Sequence, residues 1–166
     1  MISQSALMNS AAEARFRLQQ PNSKPRATKV IAMDVAGEEI VRRLAAEAWN
    51  GATFLTASAL SHGSERRADG WLRDLEGRAR DLIEEVNAAD VVVMIATPGG
   101  RAGAAAFIGE ACSHKRVMTT ALISGAGTAS DEALSLTLAQ LRPWSLMVVV
   151  ASVDDYIPDL LTALRA

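Results

Sequence analysis

An uninterrupted apolar run is the feature that most constrains how this chain can fold. It covers residues 91–96, turns at the T-P-G-G of residues 97–100, and leads into an alanine-rich segment that reaches Gly109. Because the run lacks polar alternation, neither face of the strand that it predicts meets water, which is typical of a central strand in a parallel sheet. The small residues after the turn favour a helix that lies close to this sheet.

Strand and helix patterns alternate along the rest of the chain. Strands are predicted at residues 29–35, 53–58, 91–96, 117–124 and 146–153, and helices at 38–50, 65–89, 131–141 and 155–164 beside the alanine-rich segment. This order predicts an α/β fold, a single domain with a three-layer, doubly wound parallel sheet of five strands in the order 2-1-3-4-5. Residues 29–166 form this Rossmann-like domain, and residues 1–28 are either an N-terminal arm packed on a neighbour or a disordered leader.

Composition and charge exclude several kinds of partner. The 166 residues carry a net charge of −2 without a basic face, so binding of nucleic acid through its phosphates is not expected. No apolar run reaches the ~20 residues that span a bilayer, no secretory signal is recognisable, and the single cysteine, Cys112, fits a reducing compartment. We therefore predict a cytoplasmic protein without a membrane partner. The 49% share of hydrophobic residues indicates either a covered interface, and hence a homo-oligomer, or an alanine-rich proteome.

Ligands of doubly wound sheets bind beyond the carboxyl ends of the strands, where neighbouring connections diverge. Residues 35–38 and 97–101 form the two loops expected at that point. Glycines let the backbone approach a ligand, amides at a helix start attract anions, and Arg101 adds a forked positive charge, so we expect a small anionic ligand such as a nucleotide. The expected ligand-binding residues are Gly37, Thr97, Gly99, Gly100, Arg101, Gly103, Gly125, Gly127 and Thr128.

A tight strand-to-helix turn with close helix packing explains the same glycines without any ligand. The chain contains neither G-x-x-x-x-G-K-[ST] nor a G-x-G-x-x-G after its first strand. No phosphate-loop or nicotinamide-binding motif therefore supports an anion site at these glycines. The first loop also places Asp34, Glu38 and Glu39 where a pyrophosphate would lie. Both interpretations of the glycines therefore stand.

Asp34 and His62 are the candidate acid–base residues. Asp34 follows the first strand, where it could hold a ribose hydroxyl or Mg²⁺, but capping of the next helix is the favoured interpretation. His62 lies in a polar turn at the expected ligand rim, and a solvated loop histidine explains it equally well. Neither His62 nor His114 has metal-ligand spacing, so no metal site is predicted, and Cys112 and His114 are too poorly placed on one helix to form a nucleophile pair.

Several stretches resemble the N-terminal nucleotide-binding domain of the tubulin and FtsZ GTPases. They are K-V-I at 29–31, A-D-V-V-V-M-I-A-T-P-G-G at 89–100, A-A-A-F-I-G-E-A at 104–111, V-M-T-T-A-L-I-S at 117–124, and S-L-M-V-V-V-A-S at 145–152, followed by Asp154. They occur in the family's order across most of the chain. The resemblance implies the family's scaffold and, as its cofactor, a nucleotide above the glycine loop.

The family's functional loops are altered in this sequence. Its G-G-G-T-G-T-G loop falls on residues 99–103, which are shorter and lack the threonine, and its first loop falls on residues 34–38, with one glycine and two acids. The central helix and C-terminal domain of the family would lie beyond Ala166. The resemblance thus implies a small FtsZ-like ligand-binding domain that binds a nucleotide or other anion without GTP hydrolysis. The alternatives are a non-catalytic oligomeric assembly protein on a degenerate scaffold and a small enzyme using His62 or Asp34.

Overall fold

A mostly parallel sheet of six strands, with helices packed on both faces, forms the centre of the protein. The structure is a computed structural model that describes residues 24–59 and 71–166. The strands are β1 (Thr28–Ala32), β2 (Ala52–Thr56), β3 (Arg73–Asp74), β4 (Val91–Ala96), β5 (Met118–Ser124) and β6 (Met147–Ala151). The helices are α1 (Val35–Ala45), α2 (Leu82–Asn87), α3 (Ala104–Lys115), α4 (Asp131–Leu141) and α5 (Ile157–Ala163).

The strands lie in the order β3-β2-β1-β4-β5-β6. All neighbouring strands pair in parallel except β3, which pairs antiparallel with β2 through Asp74 opposite Leu55. The predicted α/β class is confirmed, whereas the predicted five-stranded, all-parallel sheet is corrected by this short sixth strand. The chain leaves β1 toward β2 and later passes from β4 toward β5, so the connections diverge between β1 and β4.

Strand β4 is the centre of the core, as its apolar run predicts. All its residues are buried, and successive side chains contact opposite helical layers. Met94 and its alternate neighbours pack in a cluster with α3 and α4, whereas Val93 and its alternate neighbours pack with α1 and α5. Both faces of the strand exclude water. An alternating pattern would therefore have buried polar side chains away from solvent.

Side-chain caps set the first residues of helices α1 and α4. Ser130 caps α4 as predicted, since its Oγ accepts from the Ala133 N–H at 3.2 Å. Helix α1 spans Val35–Ala45 instead of residues 38–50, because Asp34 caps it earlier than the pattern suggests. The capping role favoured for Asp34 is confirmed.

The helix predicted at residues 65–89 is confirmed at Leu82–Asn87 and wrong at residues 71–81, where β3 and a turn precede the helix. The chain reverses because Gly77 takes a φ of +87° and because the Asp74 carboxylate accepts the Arg78 N–H at 2.8 Å. Trp71 and Leu72, which fit the helical spacing, are instead buried from a bend before β3.

Several predictions lie outside the described residues. These are the N-terminal arm or leader as far as residue 23, and His62 with the rest of residues 60–70. Within residues 24–59 and 71–166, no helix is long and apolar enough to cross a membrane.

Candidate functional site

Asp34 lies at the point where the connections diverge, and its carboxylate links the segments that follow β1 and β4. Oδ1 accepts the Gly37 N–H at 2.7 Å and the Thr97 hydroxyl at 3.1 Å, and Oδ2 accepts the Thr97 N–H at 2.8 Å. The residue is only 5% exposed. One side chain therefore joins the end of β1, the first turn of α1 and the loop after β4.

Gly100 is a glycine because the loop backbone touches this carboxylate. A Cβ atom at position 100 would lie 2.1 Å from Asp34 Oδ2, and a Cβ atom at Gly37 would lie 2.9 Å from the Ile95 carbonyl oxygen. These two of the expected ligand-binding glycines thus allow close approach of protein to protein. This packing favours the interpretation of the glycines as a tight strand-to-helix turn.

The amides of the loop after β4 already donate to protein oxygens. The bonds run from Gly99 to Thr137 Oγ1 at 2.9 Å, from Gly100 to the Thr97 carbonyl at 3.0 Å, and from Ala102 to Gln140 Oε1 at 2.8 Å. An anion above this loop would have to compete with these bonds. The two α4 side chains were missed by the sequence reasoning, although a threonine within the apolar face of a helix is a usable signal of a buried acceptor.

The other expected ligand residues lie around this centre. Arg101 is exposed, and Gly103 precedes the first residue of α3 without a side-chain cap. Gly125 follows β5 and leads into a 3-10 turn that contains Gly127 and Thr128. A Cβ atom at Gly127 would lie 3.2 Å from the Ser152 Cβ, so this loop packs against the end of β6.

A second polar cluster ties α1 to the carboxyl end of β5. Asp154 accepts hydrogen bonds from Ser124 Oγ and from the Arg43 guanidinium. The hydrogen bond from Ser124, joined by the positive charge of Arg43, holds the pKa of the Asp154 carboxyl below its usual value. No motif marks this cluster in the sequence, because its three members are brought together by strand order.

A third cluster lies at the end of β2. Glu38 Oε2 accepts from Ser58 Oγ at 2.7 Å and from Thr56 Oγ1 at 3.1 Å, while Oε1 accepts from Arg42 at 2.6 Å. Burial alone would raise the pKa of Glu38, but these donors lower it below its ordinary value. A carboxylate held ionised in this way is a poor general base near neutral pH, so the cluster favours a structural role.

The sole cysteine is not arranged for nucleophilic chemistry. Cys112 is fully buried, and burial raises the pKa of its thiol to about 11. His114 lies two residues further along α3 and is exposed at the rim of a cavity of about 680 Å³ between α2 and α3. That cavity has mainly apolar walls, with Trp71 and Phe107 packed at 6.0 Å between ring centroids, and Asp81, Glu110 and His114 also line it.

No group of three or more His, Cys, Asp or Glu side chains that could hold a metal ion occurs in the described part of the chain. Neither a protein-family model nor a curated protein matches the sequence. The resemblance to tubulin and FtsZ therefore stays a prediction, and the geometry of the site carries the functional argument.

Proposed function

We propose that this protein is a non-catalytic assembly protein on a degenerate nucleotide-binding scaffold. The observation that carries the proposal is the Asp34 carboxylate, which lies where the connections after β1 and β4 diverge and accepts three hydrogen bonds from the segments that would surround a ligand. The position at which a ligand would bind on this scaffold is thus used for contacts within the protein. The function is therefore expected at the protein surface.

Electrostatics also disfavours an anion at this position. Asp34, Glu38 and Asp154 all lie at the carboxyl ends of the strands, and the pKa values of the last two carboxyls are lowered, so these two stay ionised near neutral pH. Arg42 pairs with Glu38 and Arg43 pairs with Asp154, so part of this negative charge is offset within the protein. A phosphate above the loop would still have to compete for amides that already donate to protein oxygens.

Exposed apolar side chains support the assembly role. Among the described residues, Leu146 is 79% exposed and Val153 is 60% exposed, and they lie at the two ends of one apolar segment. Clustered apolar surface of this kind is typical of a contact with another protein.

Light scattering and thermal shift together test the proposal. We expect a discrete oligomer whose mass does not change with GTP, ATP or inorganic phosphate, and a melting temperature that these compounds do not raise. A monodisperse monomer would contradict the assembly role.

The FtsZ-like ligand-binding alternative makes the opposite prediction. Stabilisation by a nucleotide or phosphate that is lost in Arg101→Ala, but kept in Lys115→Ala at the other end of α3, would favour that alternative. The lysine variant is the matched control, because it also removes one exposed cation from the same helix region.

A further inference from the structure

Strand β6 forms one edge of the sheet and, within the described residues, has a neighbouring strand only on the β5 side. The segment from Pro143 to Val153 contains no charged residue. Leu146, Met147 and Val150 are 79%, 40% and 46% exposed. Natural edge strands are usually short, charged or covered, so an apolar edge of this kind indicates a binding surface.

The opposite edge of the sheet is protected. There β3 has only two residues, Arg73 and Asp74, and both are charged. A short charged edge strand discourages pairing with a further strand. Pairing at β6 would therefore use one edge of each copy and would stop at two copies instead of growing into a filament.

The chirality of the strands determines which backbone groups of β6 point away from the sheet. In a strand of L-residues, the face taken by a side chain sets the side to which its own N–H and C=O point. Ala32 and Ile95 face α1 and α5, and their carbonyls bond toward the β3 edge, to Ala57 and Met33. Residues that face α3 and α4 therefore point their backbone groups toward the β6 edge.

This rule identifies the backbone groups of β6 that point away from β5. Val149 packs on the side of α1 and α5, so its backbone groups point to β5. Val148 packs on the side of α3 and α4, so Val148 and Val150 turn their N–H and C=O groups outward. These two residues are therefore the ones that a new strand would pair with.

We propose that β6 pairs antiparallel with β6 of a second copy, across a two-fold axis at Val149. The inference rests on the proposed assembly function and identifies its contact surface. Val148 of each copy exchanges both backbone hydrogen bonds with Val150 of the other, and the two Val149 residues face each other as a non-hydrogen-bonded pair. The two sheets thereby join into one continuous sheet, with a self-complementary contact as a two-fold axis requires.

Charges beside the strand favour this orientation and a second copy as the occupant. Arg142 precedes the apolar segment, Asp155 follows it, and both side chains are exposed. Antiparallel pairing brings the basic end of one strand to the acidic end of the other, so each end of the contact joins opposite charges. A parallel arrangement would instead bring like charges together.

A Val149→Cys variant of the full chain tests the register. The Cα atoms of a non-hydrogen-bonded antiparallel pair lie about 4.5 Å apart, which is within disulfide range. We expect mild oxidation to convert most of this variant to a covalent dimer on a non-reducing gel. The native Cys112 is 0% exposed, so the unmodified protein is expected to stay uncrosslinked.

Val150→Cys is the matched control. Val150 is more exposed than the half-buried Val149, so random collisions would crosslink it more readily. In the proposed register, however, the two Val150 residues lie diagonally, beyond the ~7 Å Cα separation that a disulfide can bridge. Equal crosslinking of both variants, or none in Val149→Cys, would overturn the proposed register.

Val150→Lys tests the surface itself, because it places a charge on each side of the two-fold axis. We expect the mass measured by light scattering to fall to half, with an unchanged circular dichroism spectrum. Ile83→Lys on α2 is the control, because Ile83 is 49% exposed and distant in the fold from β6, and its variant should stay dimeric. An oligomer that survives Val150→Lys would overturn this surface while leaving the assembly function intact, whereas a monomeric unmodified protein would overturn both.

Discussion

At the scale of single residues, Asp34 joins the segments that follow β1 and β4. Its two carboxylate oxygens satisfy the amides of Gly37 and Thr97, which come from different segments of the chain. When a buried amide loses its acceptor, no hydrogen bond offsets the free-energy cost of removing that amide from water. The same side chain therefore stabilises the contact between these segments.

Replacement of Asp34 by alanine should destabilise the protein much more than loss of an ordinary helix cap. We expect Asp34→Ala to lower the free energy of unfolding by about 2–5 kcal/mol, since it leaves two amides without their acceptor in a buried site. Asp81→Ala is the control, because Asp81 caps α2 from an exposed position, and its loss should cost about 1 kcal/mol. Urea unfolding measures both values, and equal losses would show that Asp34 is only a cap.

At the scale of elements, Glu85 fastens α2 to the sheet. It forms an ion pair with Lys29 of the β1 strand at 2.8 Å, and Arg80 Nε donates to it at 2.6 Å. Burial alone would raise the pKa of Glu85, but these two cations hold it below its ordinary value. Glu85 itself is 5% exposed, so solvent screens the pair only weakly.

This ion pair predicts a defined dependence of stability on pH. A carboxyl whose folded-state pKa is lowered contributes stability that is complete above its unfolded value, about 4.3 for glutamate, and that is lost as the pH falls through the folded-state value. Unfolding free energies measured from pH 7 to pH 3 should therefore differ most between the unmodified protein and Glu85→Gln at pH 7. The two curves should converge in acid, and a constant gap down to pH 3 would contradict the assignment.

At the scale of the whole molecule, assembly couples stability to concentration. A contact that exists only between folded copies stabilises the folded state by mass action, so the melting temperature of a dimer rises with protein concentration. The exposed apolar residues of the β6 edge, which include Leu146 and Val150, are the surface that such a contact would cover.

Calorimetry over a wide range of protein concentration tests this coupling. We expect the melting temperature of the unmodified protein to rise with concentration and that of Val150→Lys to stay constant. The Ile83→Lys variant should behave like the unmodified protein. A melting temperature independent of concentration in all three proteins would mean that folded copies do not stabilise one another.

Much of the local structure follows from the sequence because it depends on neighbouring residues. The apolar run at 91–96 forms β4 at the bounds that its pattern predicts, and Ser130 begins α4 because a hydroxyl can cap an amide three residues later. The segment at 71–81 shows the limit of this reasoning. Its apolar spacing matches a helix, yet Gly77 and the Asp74 side chain turn the chain back on β3.

Only the tertiary structure decided which contacts form after β1 and β4 and what the edge of the sheet contains. Asp34 meets Thr97 because β1 and β4 are neighbours, and Gly99 meets Thr137 because α4 packs over the loop after β4. Both contacts join segments far apart in the chain, so no local pattern encodes them. The apolar pattern of residues 146–153 likewise predicts a strand, but burial depends on neighbours, and among the described residues β6 has a neighbouring strand on one side only.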